Sequence, residues 1–159
     1  MASPDPAAAH FASKRPGWFT AHFFNPLVNL LMRSGVSLLG SRILEVRGRS
    51  SGEPRRTPVN LLSVDGARYL VAPRGETQWV RNLRAAGEGR LLLGRRGEGF
   101  SARELTDVAE KAPILRAYLK RWKAEVGVFF DGVGPDSSEQ ELREAAVKHP
   151  VFRIAGPTG

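Results

Sequence analysis

Three turn signals follow one another closely in the middle of the chain and join short apolar segments. The first is the glycine-bounded stretch 48–52, the second is Asp65-Gly66 and the third is Arg95-Arg96-Gly97. Antiparallel strands are joined by tight turns of this kind, whereas parallel strands need a crossover of a dozen or more residues. The sequence therefore predicts an antiparallel sheet and disfavours a doubly wound parallel one.

The predicted elements lie on either side of these turns. Strands are predicted at residues 43–46, 57–64, 67–72, 91–93, 100–105 and 151–154. Helices are predicted at 77–85, after Thr106-Asp107 with an interruption at Pro113, and from a capping box at 138–141. About six strands with two or three helices outside them predict an α+β domain built on a small antiparallel barrel.

The length of the chain, 159 residues, favours a single domain. Residues 1–13 are predicted to be a flexible tail, and 14–35 an amphipathic helical arm rich in Trp and Phe. The arm fits either a lid or membrane-surface helix, or a structural cover packed on the barrel. Residues 42–105 would form the barrel core, and 106–159 the remaining helices and a closing strand.

The charge of the chain narrows the class of partner. Lys and Arg number 24 against 16 Asp and Glu, so the net charge is +8 and an anionic partner is favoured. Nucleic acid, an acidic membrane surface and a polyanionic coenzyme all fit. The absence of cysteine excludes disulfides and thiolate chemistry, and His10, His22 and His149 are too widely spaced to predict a metal site. With no signal peptide or long apolar run, we expect a cytoplasmic protein, with membrane association through the arm left open.

The turn at 48–52 is the best candidate for an anion site. Gly48 and Gly52 permit positive φ, so backbone N–H groups can converge there beside the hydroxyls of Ser50 and Ser51. The surrounding cations are Arg47, Arg49, Arg55 and Arg56. Guanidinium groups suit phosphate and carboxylate, although an ordinary hairpin turn with solvated arginines has the same composition.

A set of ordered motifs resembles the deazaflavin-dependent nitroreductase family. The motifs are Gly48-Arg49-Ser50-Ser51-Gly52, Pro54-Arg55-x-Thr57-Pro58, Asp65-Gly66-x-x-Tyr69-x-Val71-Ala72 and Trp79-x-x-Asn82-Leu83. The resemblance implies a split β-barrel that binds coenzyme F420, a deazaflavin, with FMN as the less favoured alternative. This coenzyme carries a phosphodiester and an oligoglutamate tail, which makes it a polyanion.

The resemblance also implies roles for individual residues. The phosphate and the start of the tail would be bound by Arg49, Ser50, Ser51, Gly52, Arg55 and Arg56. The edge of the ring would lie against Pro58 and Val59. A loop whose N–H groups bind the polar end of the ring would consist of Ala72, Pro73, Arg74 and Gly75. The helix over the coenzyme would contribute Trp79 and Asn82.

The predicted reaction is hydride transfer from the reduced deazaflavin to a small electron-poor acceptor such as a quinone, enone or nitroaromatic. No catalytic acid or base is expected, and Asn60, Tyr69 and Tyr118 are candidates for orienting the acceptor. Characterised nitroreductases of the family have Tyr and Ser where this chain has Asn60 and Pro73, which weakens the case for nitro compounds. A non-catalytic deazaflavin carrier and a basic nucleic-acid-binding module remain alternatives, and the chain could act as a monomer or a homodimer.

Overall fold

A computed structural model describes residues 41–156. The predicted tail at 1–13 and arm at 14–35 lie outside this range. The strands are β1 Ser41–Arg47, β2 Pro54–Asn60, β3 Leu62–Val64, β4 Ala67–Val71, β5 Glu88–Leu93, β6 Arg96–Leu105 and β7 Val151–Ala155. The helices are α1 Gln78–Ala86, α2 Val108–Val126 and α3 Glu139–Lys148, with a short 3₁₀ helix, Gly127–Phe130, between α2 and α3.

All seven strands form one curled antiparallel sheet. Its order is β2-β1-β5-β6-β7-β4-β3, and every neighbouring pair is antiparallel. The sheet curls far enough for β2 to contact β4 as well as β1. The predicted α+β class and antiparallel barrel with outer helices are therefore confirmed.

The strand predicted at 57–64 is wrong, because the chain changes partners in its middle. Strand β2 begins earlier than predicted and pairs with β1, whereas β3 pairs with β4. Leu61 lies between the two strands, and its carbonyl accepts a hydrogen bond from Nε1 of Trp122 at 3.3 Å. A helix side chain thus satisfies the backbone at the point where the sheet cannot.

Two hydrophobic cores lie on opposite faces of the sheet. One is packed against α1 and includes Leu44, Val46, Leu70, Val80, Leu83, Phe100 and Phe152. The other is packed against α2 and α3 and includes Tyr69, Val71, Leu115, Tyr118, Trp122 and Leu142. Alternation along β4 sends successive side chains to the two cores, so the middle of the sheet is buried on both faces.

The predicted helix limits are largely confirmed by their caps. Thr77 precedes α1, and Gly87 ends it in the left-handed region at φ 71°, donating its N–H to the Leu83 carbonyl. Asp107 caps α2 by accepting from the Ala109 N–H at 2.9 Å. The predicted capping box of Ser138 and Glu141 is present at α3.

The predicted interruption at Pro113 is wrong, since α2 continues through it. Proline removes the N–H that would bond the Ala109 carbonyl, but its ring is exposed while the next two residues, Ile114 and Leu115, are buried. The buried face of the helix outweighs the loss of one hydrogen bond near its start.

The third predicted turn is displaced by one residue. The β5–β6 hairpin turns at Gly94-Arg95, with Leu93 paired to Arg96. Gly94 has φ 63°, so it supplies the positive φ that a two-residue hairpin turn needs, and Gly97 lies inside β6.

Candidate functional site

The turn between β1 and β2 is closed by its own backbone. The Gly48 N–H donates to the Glu53 carbonyl at 2.7 Å, and the Gly52 N–H donates to the Gly48 carbonyl at 2.9 Å. Gly52 has φ 75°, and a Cβ on Gly48 would lie 2.8 Å from Oγ of Ser51. Gly52 thus has the positive φ that the sequence predicts, whereas Gly48 does not, and a side chain at Gly48 would instead press on Ser51 and on the Glu53 carbonyl, 3.2 Å away.

Fewer N–H groups point away from this turn than the sequence predicts. The Glu53 N–H donates to Oγ of Ser51 at 3.1 Å, and the Arg49 N–H donates to Oδ1 of Asn82 at 3.1 Å. With Gly48 and Gly52, four of the six N–H groups from 48 to 53 bond within the protein. Anion binding here would depend mainly on guanidinium and hydroxyl groups.

Asn82 anchors the turn to α1. Its side chain is only 4% exposed, and its Oδ1 also accepts a hydrogen bond from Nη1 of Arg49 at 2.8 Å. The same Nη1 donates to Oε1 of Gln78, one helical turn earlier, at 2.9 Å. The resemblance implies that Asn82 lies on the helix over the coenzyme, and in the structure this side chain also holds Arg49 in place.

A cavity of about 400 Å³ lies between the turn and the second half of α1. Its walls are Arg47, Gly48, Arg49, Ser50, Ser51, Gly52, Asn82, Ala85 and Ala86. Five residues that the sequence predicts to bind the coenzyme, from the turn and from α1, thus line one cavity. Among residues 41–156, the wall of the cavity contains the positively charged Arg47 and Arg49 and no acidic side chain.

The two arginines at the start of β2 face opposite sides of the sheet. The Cγ of Arg55 lies 3.5 Å from the position of a Cβ on Gly48, which places its side chain beside the turn. Arg56 instead pairs with Glu45, Nε to Oε2 at 2.7 Å, on the other face. Glu45, whose Oε1 also lies 3.7 Å from Nη1 of Arg90, thus holds Arg56 on the face away from the turn, and this pairing argues against the predicted contact of Arg56 with the phosphate.

The loop at 72–75 leads into α1 and is held by its own hydrogen bonds. The Ala72 N–H donates to the Pro150 carbonyl at 2.9 Å, and the Gly75 N–H donates to the Ala72 carbonyl at 3.1 Å. Pro73 has no N–H. The N–H groups of Ala72 and Gly75 are therefore already bonded within the protein, and the contact of this loop with the ring stays a prediction.

The side chains around this loop are packed and partly charged. The Arg74 guanidinium lies over the ring of Phe129, with 4.9 Å from Cζ to the ring centroid. Trp79, in the first turn of α1, is half-buried and packs on Phe152 with ring centroids 6.0 Å apart. This end of α1 thus carries the half-buried ring of Trp79 and a guanidinium whose Nε and Nη2 are buried.

Pro58 and Val59, the residues predicted to lie against the edge of the ring, face opposite sides of the sheet. Val59 belongs to the core beneath α1, and Pro58, the neighbouring residue in β2, faces the opposite side. Only Val59 shares the face of α1 and of the cavity.

The three residues predicted to orient the acceptor are buried. Tyr69, Tyr118 and Asn60 are 8%, 1% and 9% exposed, and Oδ1 of Asn60 accepts from Oγ of Ser41 at 3.0 Å. Burial raises the pKa of Tyr118 far above its usual value, and a hydrogen bond with Asn60 lowers it only in part. In this structure the hydroxyl of Tyr118 belongs to the core and does not reach a surface where an acceptor could bind.

Comparisons with known proteins agree with this fold and match the chain to a protein family. The model of the F420H(2)-dependent quinone reductase family matches residues 32–133. No functionally curated protein matches the chain in sequence. Within residues 41–156, no helix combines the length and the hydropathy needed to cross a membrane.

Solved structures with the same fold are distant in sequence. An F420-H2-dependent reductase, FDR-A, is 20% identical with a TM-score of 0.50, covering 73% of this chain and 94% of its own. A Listeria innocua protein described as a candidate pyridoxamine 5'-phosphate oxidase is 13% identical with a TM-score of 0.50, covering 75% and 85%. A protein solved as a domain-swapped dimer is 17% identical with a TM-score of 0.52, covering 88% and 99%. At these identities the likeness shows the fold alone, the split barrel.

Proposed function

Because the chain belongs to the F420H(2)-dependent quinone reductase family, we propose that it reduces a small quinone with coenzyme F420 as the hydride donor. The family makes it an F420-dependent oxidoreductase, and the acceptor is the part that we propose. Reduced F420 supplies a hydride from its deazaflavin ring when it is bound. The protein has to bind the coenzyme, orient it and exclude water.

The cavity beside the β1–β2 turn suits the acidic handle of this coenzyme, by which we mean its phosphodiester and oligoglutamate tail. We assign the phosphate and the start of the tail to Arg49, Ser50, Ser51 and Gly52, with Arg55 beside them. The strongest support for this assignment is Arg49, because its side chain is held by hydrogen bonds to Asn82 and Gln78 without a bound ligand. A guanidinium that is already ordered loses less entropy when it binds an anion.

The ring would lie toward the other end of α1. The cavity borders Asn82, Ala85 and Ala86 in the second half of the helix, and the loop 72–75 precedes its first turn. A nine-residue helix is about 13 Å long. This separation accommodates an elongated coenzyme with its acidic handle at the cavity and its ring near Ala72, Pro73, Arg74, Gly75, Val59 and Trp79.

The acceptor that we propose is a quinone rather than a nitro compound. Hydride transfer to a quinone places negative charge on the acceptor oxygen, and the positive charge of Arg74, in the loop that we place beside the ring, favours that charge. Asn60 and Pro73 stand where the nitroreductases resembled by this chain have Tyr and Ser. We therefore expect menadione to be reduced faster than a nitroaromatic compound.

A fluorescence titration tests the assignment of the phosphate and the start of the tail to Arg49 and Arg55. Changing Arg49 and Arg55 together to Ala should weaken F420 binding by roughly 2–5 kcal/mol, since two charge-assisted contacts are lost. The matched control is Arg56→Ala, which removes the arginine paired with Glu45 and should change the affinity by less than about 0.5 kcal/mol. Equal effects of both variants, or tighter binding of FMN than of F420, would contradict the assignment.

Stopped-flow oxidation of the bound, reduced coenzyme tests the reaction. Menadione, cyclohexenone and a nitroaromatic compound are each mixed with the reduced complex. Acceleration over free coenzyme, largest for menadione, is expected. Binding without acceleration by any acceptor would instead favour a coenzyme carrier.

A further inference from the structure

One residue, Ala72, is held from both sides by the segment that joins α3 to β7. Its N–H donates to the Pro150 carbonyl at 2.9 Å, and its carbonyl faces Nδ1 of His149 at 3.1 Å. The same carbonyl accepts the Gly75 N–H at 3.1 Å. The loop 72–75 is thus tied to two consecutive residues that are more than 70 positions away in sequence.

Gly75 brings the loop close to the same segment. Its φ is 81°, and a Cβ there would lie 3.1 Å from the Lys148 carbonyl. The backbone of 148–150 therefore packs along the loop, and His149 adds a side-chain hydrogen bond to it.

His149 is itself firmly placed. It is 5% exposed, and its ring stacks on Phe130 with centroids 4.0 Å apart and 21° between the planes. Burial lowers the pKa of His149, and the nearby charges of Lys111 and Lys148 lower it further, against opposite contributions from the Ala72 hydrogen bond and Asp131. The neutral ring carries one proton, and since a carbonyl only accepts, that proton must be on Nδ1.

We propose that His149 is a positioning residue for hydride transfer, which sets the loop 72–75 through its Nδ1–H···O=C hydrogen bond to Ala72 and so orients the deazaflavin ring bound against that loop. This inference rests on the proposed function, because the place of the ring beside the loop is part of that proposal. Misplacement of reacting groups by about 1 Å can slow a reaction by about 100-fold. A shifted loop would therefore affect the reaction more than the binding of the distant acidic handle.

Two substitutions separate the hydrogen bond from the packing of the ring. His149→Phe keeps an aromatic ring for stacking on Phe130 and removes the donor. His149→Asn removes the ring and keeps a donor close to the position of Nδ1. If the hydrogen bond positions the loop, His149→Asn should behave like the wild type and His149→Phe should not.

The first measurements need no coenzyme. In the wild type, ¹⁵N NMR of the imidazole should show a protonated Nδ1 and an unprotonated Nε2. The amides of Ala72 and Gly75 should exchange with solvent about tenfold faster in His149→Phe and at the wild-type rate, within about threefold, in His149→Asn. A proton found on Nε2 of the wild type would overturn the proposal whether or not the variants fold, and equal exchange in three folded proteins would overturn it as well.

The remaining measurements use the coenzyme complex. In His149→Phe, the rate of menadione reduction should fall about tenfold or more and the absorption maximum of bound F420 should shift, while its Kd changes by less than about threefold. His149→Asn should keep the wild-type rate within about threefold. Equal loss in both variants would mean that the ring acts by packing, and an unchanged rate in His149→Phe would also refute the positioning role. A wild-type protein that does not quench F420 fluorescence would instead refute the proposed function, so the two failures are distinguishable.

Discussion

Replacement of Asn82 by Asp should separate the stability of the protein from its affinity for the coenzyme. The new carboxylate has nearly the shape of the amide and keeps an acceptor for both the N–H and the guanidinium of Arg49, now as an ion pair. The site is only 4% exposed, so the gain from pairing is offset by the cost of desolvating the new charge. We expect the free energy of unfolding in urea to change by less than about 1 kcal/mol.

The effect on binding has a definite sign. The added negative charge lies in the wall of the cavity that we assign to the phosphate. At a separation of about 7 Å and an effective dielectric constant of 20 to 40, two like charges repel by roughly 1–2 kcal/mol. The affinity for F420 should therefore fall by about 5- to 30-fold, and the loss should shrink as salt is added.

A matched variant checks that the charge is the cause. Asn82→Ala removes the acceptor without adding a charge, and it leaves a partly buried N–H of Arg49 without its partner. It should lower the free energy of unfolding by about 1–3 kcal/mol, and its effect on binding should depend little on salt. Binding of F420 to Asn82→Asp at wild-type affinity or tighter would refute the placement of the phosphate beside α1.

Three further predictions concern stability. Gly75→Ala should lower the free energy of unfolding by about 1–3 kcal/mol, because φ is 81° and the new Cβ meets the Lys148 carbonyl. Gly132→Ala, with φ 83° and no atom of residues 41–156 within 4 Å of the new Cβ, should cost less in the same urea titration. Pro113→Ala should raise the free energy of unfolding by about 1–3 kcal/mol by restoring an N–H inside α2, and no gain would show that the helix is adapted to the proline. Burial lowers the pKa of His149 below 6.5, so the unfolded state takes up the proton first and stability should fall as pH drops from about 7 to 5, by at most about 1.4 kcal/mol per pH unit. His149→Phe should flatten that slope, and an equally steep slope in this variant would assign the effect to other groups.

Local signals in the sequence were sufficient for much of the architecture. The turns at 48–52 and Asp65-Gly66, the capping box at Ser138 and the glycine stop after α1 all depend on residues within one turn of each other. Closely spaced hairpins exclude parallel crossovers wherever they occur. The order of the motifs also pointed to the F420-dependent split barrels, which the family match confirms.

Interactions between residues far apart in sequence decided what the local signals could not. Pro113 predicts an interruption by its own geometry, but the buried face of α2 outweighs it. Arg55 and Arg56 are two neighbouring arginines that the sequence alone cannot tell apart. Only the pairing of β2 with β1 places Arg55 beside the turn and Arg56 on Glu45.

The candidate site shows the same division. Its arginines, serines and glycines can be recognised from the sequence because a local turn brings them together. The anchoring by Asn82 and the hydrogen bond from His149 to Ala72 cannot, because they join residues 33 and 77 positions apart. Residue types and their order in the chain therefore predict the kind of ligand and the local turns, whereas the packing of α1 and α3 against the sheet decides which side chains are held in fixed positions around the candidate site.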